Sequence, residues 1–173
     1  MVRLHMEHFD MNSIISSFIS EIKPIADING VEIKVDNAQD DCMVMVDRNK
    51  ILQVLTNLTH NAIKYSPEGS AVEIRIRNSG GYIITEIEDN GKGIPEEDLP
   101  RIFEKFYQSR YTRGHGGIGL GLAISRGIVD AHGGKMYAQS VVGKGSVFAF
   151  SLPCAHGHAD IPGVCEGAAH NED

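Results

Sequence analysis

The sequence predicts an α+β fold, a two-layer α/β sandwich in which a mixed, mainly antiparallel sheet of about five strands is covered by three helices. Three stretches repeat their apolar residues at helical spacing, and several shorter ones alternate apolar with polar residues. The connections between them are short and rich in Gly, Pro, Asn and Ser. With 173 residues, 42% hydrophobic and 23% charged, the chain can bury one core and is short for two.

RLHMEHF at 3–9 reads as a short strand, and Asp10 or Asn12 can cap a helix whose Ile14, Ile15, Phe18, Ile19 and Ile22 share a face, with Pro24 near its end. VEIKV at 31–35 and CMVMV at 42–46 are strands, after which Asp47 caps a helix running to about Tyr65 and stopped by Ser66, Pro67, Glu68 and Gly69. AVEIRIR and GYIITEIED, separated by Asn78, Ser79 and Gly80, form a hairpin. Glycine-rich, charged sequence from Gly91 to Gly117 contains only a weak helix near 97–108. A third helix covers roughly 119–132, packs Leu120, Ile124, Ile128 and Ala131 inward and ends at Gly133 and Gly134. KMYAQSVV and SVFAFSL then supply a last strand pair.

A net charge of -7 and a pI near 5.6 disfavour nonspecific binding to nucleic acid or to an anionic membrane. Cys42, Cys154 and Cys165 form no disulfide framework and fit a reducing cytoplasm. No apolar run is long enough to span a bilayer, and nothing like a signal peptide follows Met1, so the chain is expected to be soluble. Beyond Pro153 periodicity is lost; the spacing of Cys154, His156, His158, Cys165 and His170 matches no closed zinc pattern, and a mobile tail is expected.

Three clusters carry chemistry. On the helix from Asp47 to Tyr65, at about 100° per residue, Ile51, Leu55, Leu58 and Ala62 form one stripe and Asn57, Asn61 and Lys64 another. Two amides and an ammonium on successive turns suit a hydrated Mg²⁺ and the phosphates it bridges, or make a solvated polar face. In EIEDNGKGIP the face shared by Ile83, Thr85 and Ile87 continues to Asp89, so a carboxylate points inward at the strand's end. The exocyclic amine of adenine is a suitable donor to it, and Gly91 and Gly93 let the backbone approach a flat ring; the plain alternative is an Asn-Gly turn capped by Asp89. In GHGGIGLGLAIS glycines run directly into a helix, which builds a phosphate site or an unliganded hinge. A charged loop rather than a buried strand precedes it, which counts against a Rossmann unit, and the lysine and hydroxyl of a P-loop are missing.

In order, NLTHNAIKYSPEG, EDNGKGIP, RIFEKFYQ, GHGGIGLGLAIS and GKGSVFAF resemble the N, G1, F, G2 and G3 boxes of histidine kinase catalytic domains, within the superfamily of ATP-binding folds that includes DNA gyrase; the likeness spans roughly Phe9 to Leu152. It implies ATP and Mg²⁺ as ligands, Asn61 as the metal ligand, Asn57 and Lys64 beside the phosphates as the other catalytic positions, and Tyr65 near the base. Asp89 becomes the adenine anchor, in a pocket shaped by Gly91, Gly93 and Ile94. The resemblance also assigns Phe103 and Phe106 to the anchoring of a mobile lid, and Lys105, Arg110 or Arg113 as lid cations. Gly117, Ile118, Gly119, Leu120 and Gly121 would surround the phosphates, Ser146 would join the nucleotide contacts, and Gly143 and Gly145 would shape the last hairpin. His115 and the pair Gly116-Gly117 depart from the usual approach to the G2 box.

Hydrolysing relatives carry a glutamate four residues before the metal-binding asparagine, where this sequence has Asn57, which is no base at neutral pH. No histidine has the family's acceptor setting, an acidic residue and a proline-containing turn on a long helix. The implied function is donation of the γ-phosphoryl group of ATP to a histidine on a separate dimerisation domain, with a response regulator downstream and no nucleic-acid or membrane contact by this chain. The implied organisation is a linker end and first strand at 1–9, a catalytic domain at 10–152 and a tail at 153–173. An anti-sigma-type serine kinase and a nonenzymatic ATP-dependent docking module are the alternatives.

Overall fold

Residues 3–109 and 119–156 are described in the computed structural model. Along them run β1 (Glu7–Asp10), α1 (Met11–Ile28), β2 (Glu32–Asp36), β3 (Met43–Val46), α2 (Arg48–Tyr65), β4 (Ala71–Ser79), β5 (Tyr82–Asp89), α3 (Gly121–Ala131), β6 (Lys135–Val141) and β7 (Gly145–Pro153). The main sheet has the order β2-β4-β5-β7-β6, with β2 and β4 parallel and its other pairs antiparallel, while β1 and β3 form a separate antiparallel pair.

Asp10 caps α1 by accepting from the Asn12 N–H at 3.0 Å. The helix continues one turn past Pro24, because Ile22 and Ala26 keep the buried stripe going across the lost hydrogen bond. The hairpin between β4 and β5 turns at Gly80 and Gly81 rather than at 78–80; both have positive φ, which matches the twist of the strands around a two-residue turn. Val72, Ile74 and Ile76 of β4, Ile83 and Ile87 of β5, and Phe148, Phe150 and Leu152 of β7 face the helices. β7 extends through Pro153, and Cys154 forms an isolated antiparallel bridge with Val44.

The inward face of α3 is rotated from the expected one: Ser125 and Val129 are buried and Ile128 partly so, whereas Ile124 is 43% exposed and Ala131 is exposed. A polar contact sets this phase, since Ser125 accepts a hydrogen bond from Asn57 of α2. In place of the weak helix near 97–108 there is one 3-10 turn, Leu99–Arg101, because Pro100 and the lack of an apolar stripe give an α-helix no face to bury. Among the described residues no helix is long and apolar enough to cross a membrane.

Asp47 joins three elements at the start of α2. Its carboxylate accepts from the N–H groups of His5 and Lys50 at 3.1 and 3.3 Å, and its own N–H donates to Nε2 of the buried His132 at the end of α3. The hydrogen bond from the His5 N–H, ahead of those from α2, holds the carboxyl below its usual value. A lowered pKa in the fold stabilises it above the unfolded value and loses that contribution as pH falls through the folded one. Asp47→Ala should therefore cost about 1–2 kcal/mol at neutral pH, with the deficit shrinking in acid; denaturant midpoints measured against pH read it directly.

Candidate functional site

A cavity of roughly 530 Å³ opens between α2, the end of β5, the β6–β7 hairpin, the start of α3 and the segment around 102–109. One stripe of α2 packs on the sheet, so the stripe beside it, with Asn57, Asn61 and Lys64, is turned onto the cavity wall together with His60 and Tyr65. The same separation of faces on β5 delivers Asp89 to the floor.

Asp89 is only 5% exposed. Its Oδ1 accepts from the Gly91 N–H at 2.8 Å, and the backbone N–H of Ser146, its register partner on β7, lies near enough to favour the charged form. Burial pushes its pKa up; these two N–H groups oppose that, and Glu88 adds to it. The cradle is made of glycine because nothing larger fits. A Cβ on Gly91 would lie 2.6 Å from the Tyr65 carbonyl oxygen, and one on Gly93, at φ 76°, would lie 2.2 Å from that of Val141. The pair of strands behind the cradle is stitched to it: the Gly143 N–H donates to the Lys92 carbonyl at 2.8 Å, and the Ile94 N–H donates to Ser140 Oγ at 2.7 Å.

Opposite the floor, Asn57 Nδ2 donates to Gly121 O at 3.2 Å and to Ser125 Oγ at 3.0 Å, tying α2 to the first turn of α3. Asn57 therefore stands on the wall, as expected, with its N–H groups engaged in holding the second helix. Lys64 and Lys92 place their ammonium groups 5.3 and 6.0 Å from the centroid of the Tyr65 ring. The third wall is a loop organised by Asp98, which accepts from Tyr107 Oη at 2.5 Å and from Ser109 Oγ. Phe106, at φ 63°, reverses the chain there, and its N–H donates to Gly119 O at 2.9 Å, bringing the start of α3 alongside.

Of the residues expected at the site, Asn57, Asn61, Lys64, Tyr65, Asp89, Gly93, Ile94, Gly119, Leu120, Gly121 and Ser146 line this cavity, and Gly91 supports Asp89 from behind. Lys105 and Phe106 do not; they border a separate shallow depression with Arg101 and Glu104, and Phe106 is 68% exposed. Only Phe103 of the two anchoring phenylalanines packs against the core. Arg110, Arg113, Gly117 and Ile118 lie outside the described residues, as do His158, Cys165 and His170 of the tail. Among the described residues no group of three metal-ligating side chains assembles; His156 pairs with Asp41 at 3.2 Å.

Sequence reasoning missed His60, Lys92, Tyr107, Gln108 and Ser109 as wall residues. His60 and Lys92 were accessible, one being next to Asn61 and the other inside the DNGKG string. Tyr107, Gln108 and Ser109 lie in irregular backbone, where no period marks which side chain faces inward.

This fold, with a buried carboxylate on glycines facing an amide-bearing helix, is that of a domain of the ATPase-like class. The chain belongs to the histidine kinase-, DNA gyrase B-, and HSP90-like ATPase family, whose model matches residues 46–156. It is 38% identical over 151 residues to the sensor-like histidine kinase SenX3 of Mycobacterium tuberculosis (strain ATCC 25618 / H37Rv), covering 86% of this chain and 37% of SenX3. Full-length ShkA in complex with AMPPNP superposes with a TM-score of 0.77 at 27% identity, over 88% of this chain and 32% of that one. Histidine kinase ThkA, in complex with response regulator protein TrrA, superposes with a TM-score of 0.74 at 28% identity, over 87% of this chain and 42% of that one. The chain spans well under half the length of the curated relatives it matches.

Proposed function

We propose that residues 10–152 bind ATP with the adenine on Asp89 and present its γ-phosphoryl group to a histidine on a separate dimerisation domain of a sensor histidine kinase, in the cytoplasm and upstream of a response regulator. The carrying observation is Asp89, a buried carboxylate held by the Gly91 N–H at the floor of a cavity large enough for a nucleotide. Such a group needs a donor from the ligand, and the amine of adenine supplies one.

Asn61 and Lys64 stand on the wall where the phosphates of an adenine seated on Asp89 would extend. Asn61 offers a neutral amide oxygen, the donor type that suits Mg²⁺, and the metal would neutralise phosphate charge there. Lys64 adds a positive charge. In the transfer, the bond from the γ-phosphorus to the bridging oxygen breaks, ADP leaves with the electron pair, and a nitrogen of the acceptor imidazole bonds phosphorus; positioning and charge neutralisation are the protein's contribution. Hydrolysis is disfavoured because Asn57 is an amide whose N–H groups are engaged with α3.

The test is transfer of label from ATP to an added histidine-bearing dimerisation domain, compared with serine substrates and with the chain alone. Acid-labile label should appear on the histidine domain only. Acid-stable label on serine would establish the anti-sigma-type reading, ATP binding without transfer to either would leave a docking module, and self-labelling of His60, the histidine on the cavity wall, would overturn the division of labour. Asn61→Ala should weaken ATP binding about tenfold in Mg²⁺ and leave binding in chelator nearly unchanged; equal losses in both would remove Asn61 from the metal.

A further inference from the structure

Ser140 of β6 is assigned no role by the family boxes, yet it lies at the junction of the elements that hold Asp89. Its Oγ is within hydrogen-bond distance of three groups: the Ile94 N–H at 2.7 Å, the Gly145 carbonyl oxygen at 2.9 Å and Ser146 Oγ at 2.8 Å. A serine hydroxyl has one proton and two lone pairs. The carbonyl can only accept, so the Ser140 proton goes to Gly145 O. The Ile94 N–H can only donate, so it occupies one lone pair. The remaining lone pair must take the proton of Ser146.

That sequence of donors leaves Ser146 Oγ with nothing but acceptor capacity toward the cavity it lines, where it is 6% exposed. It stands directly across the β5–β7 ladder from Asp89, whose carboxyl is itself an acceptor. The two residues form one acceptor edge. We infer that Ser140 is a positioning residue for base selection: by claiming the Ser146 proton it leaves two acceptors, Asp89 and Ser146, one for each hydrogen of a purine 6-amino group, where a 6-oxo group would set oxygen against oxygen. This deepens the ATP reading and rests on it.

The experiment is titration calorimetry of the full 173-residue chain with ADP and with IDP, on Ser140→Ala, Ser146→Ala, the double variant and Ser140→Thr, with melting temperatures alongside. Each alanine variant should narrow the ADP-over-IDP preference by about tenfold, the double variant should narrow it no further than either single one, and Ser140→Thr, which keeps the hydroxyl, should retain it. Additive losses, or a drop in melting temperature with the preference unchanged, would reduce Ser140 to a stitch between Ile94 and Gly145. If Ser140→Ala does not fold, Ser146→Ala decides alone, and an unchanged preference there overturns the inference. Failure of the parent chain to bind ADP would instead sink the nucleotide reading beneath it.

Discussion

Asp89→Asn is expected to lower adenine-nucleotide affinity by about 30–150-fold, the loss of a hydrogen bond to a charged acceptor, in a protein that still folds. The reason is orientation. The Gly91 N–H points at this carboxyl and demands an oxygen, so the amide's oxygen turns toward it and its NH₂ toward the cavity, donor against the donor amine of adenine. Calorimetric titration measures the loss, and parental affinity in a folded variant would remove Asp89 from the base pocket. The empty variant should be no less stable than its parent at neutral pH. Burial raises the Asp89 pKa above the ordinary 3.8, so the fold favours the protonated carboxyl: stability is greatest below the unfolded pKa and falls as pH rises through the folded one and the buried carboxylate forms. The stability of Asp89→Asn relative to the parent should therefore increase over the same rise in pH.

Gly145→Ala should unfold the β6–β7 hairpin and abolish nucleotide binding with it. A Cβ there would sit 2.0 Å from the Asp89 carbonyl oxygen, and the backbone is held at φ 121°. Backbone must move against backbone, at a cost of about 3 kcal/mol or more, which lowers the melting temperature by roughly 6–12 °C in a domain of this size. Gly143→Ala is the control: its φ is 82° but open space surrounds it, so only the left-handed conformation is penalised, by about 1–2 kcal/mol. Thermal melts of the two variants separate close packing from backbone conformation, and equal effects would show that the approach to Asp89 is slack.

What could be read in the sequence was whatever a period or a cap records. The bounds of α2 follow from Asp47 and a 3.6-residue stripe, and the inward aim of Asp89 from the alternation of Ile83, Thr85 and Ile87. The phase of α3 could not be read, because Ser125 turns inward to meet Asn57, 68 residues away, and no apolar pattern reports a long-range polar bond. The same holds for the wall at 107–109, which Asp98 organises through side chains at irregular spacing. Lys105 and Phe106 were assigned by likeness to a motif, and the positive φ at Phe106 turns both away from the cavity.

The bond between the Asp47 N–H and His132 has a mechanical counterpart at the other end of α3, where Asn57 grips Gly121 and Ser125. A rod pinned at one end can swing, whereas one pinned at both ends to the same neighbour can neither swing nor slide without breaking a pin. α2 and α3 are thus fastened as one rigid pair. The wall at 107–109 is fastened differently, to Asp98 through side chains and to the start of α3 through the Phe106 N–H on Gly119 O, so it meets the rigid pair close to one of its pins.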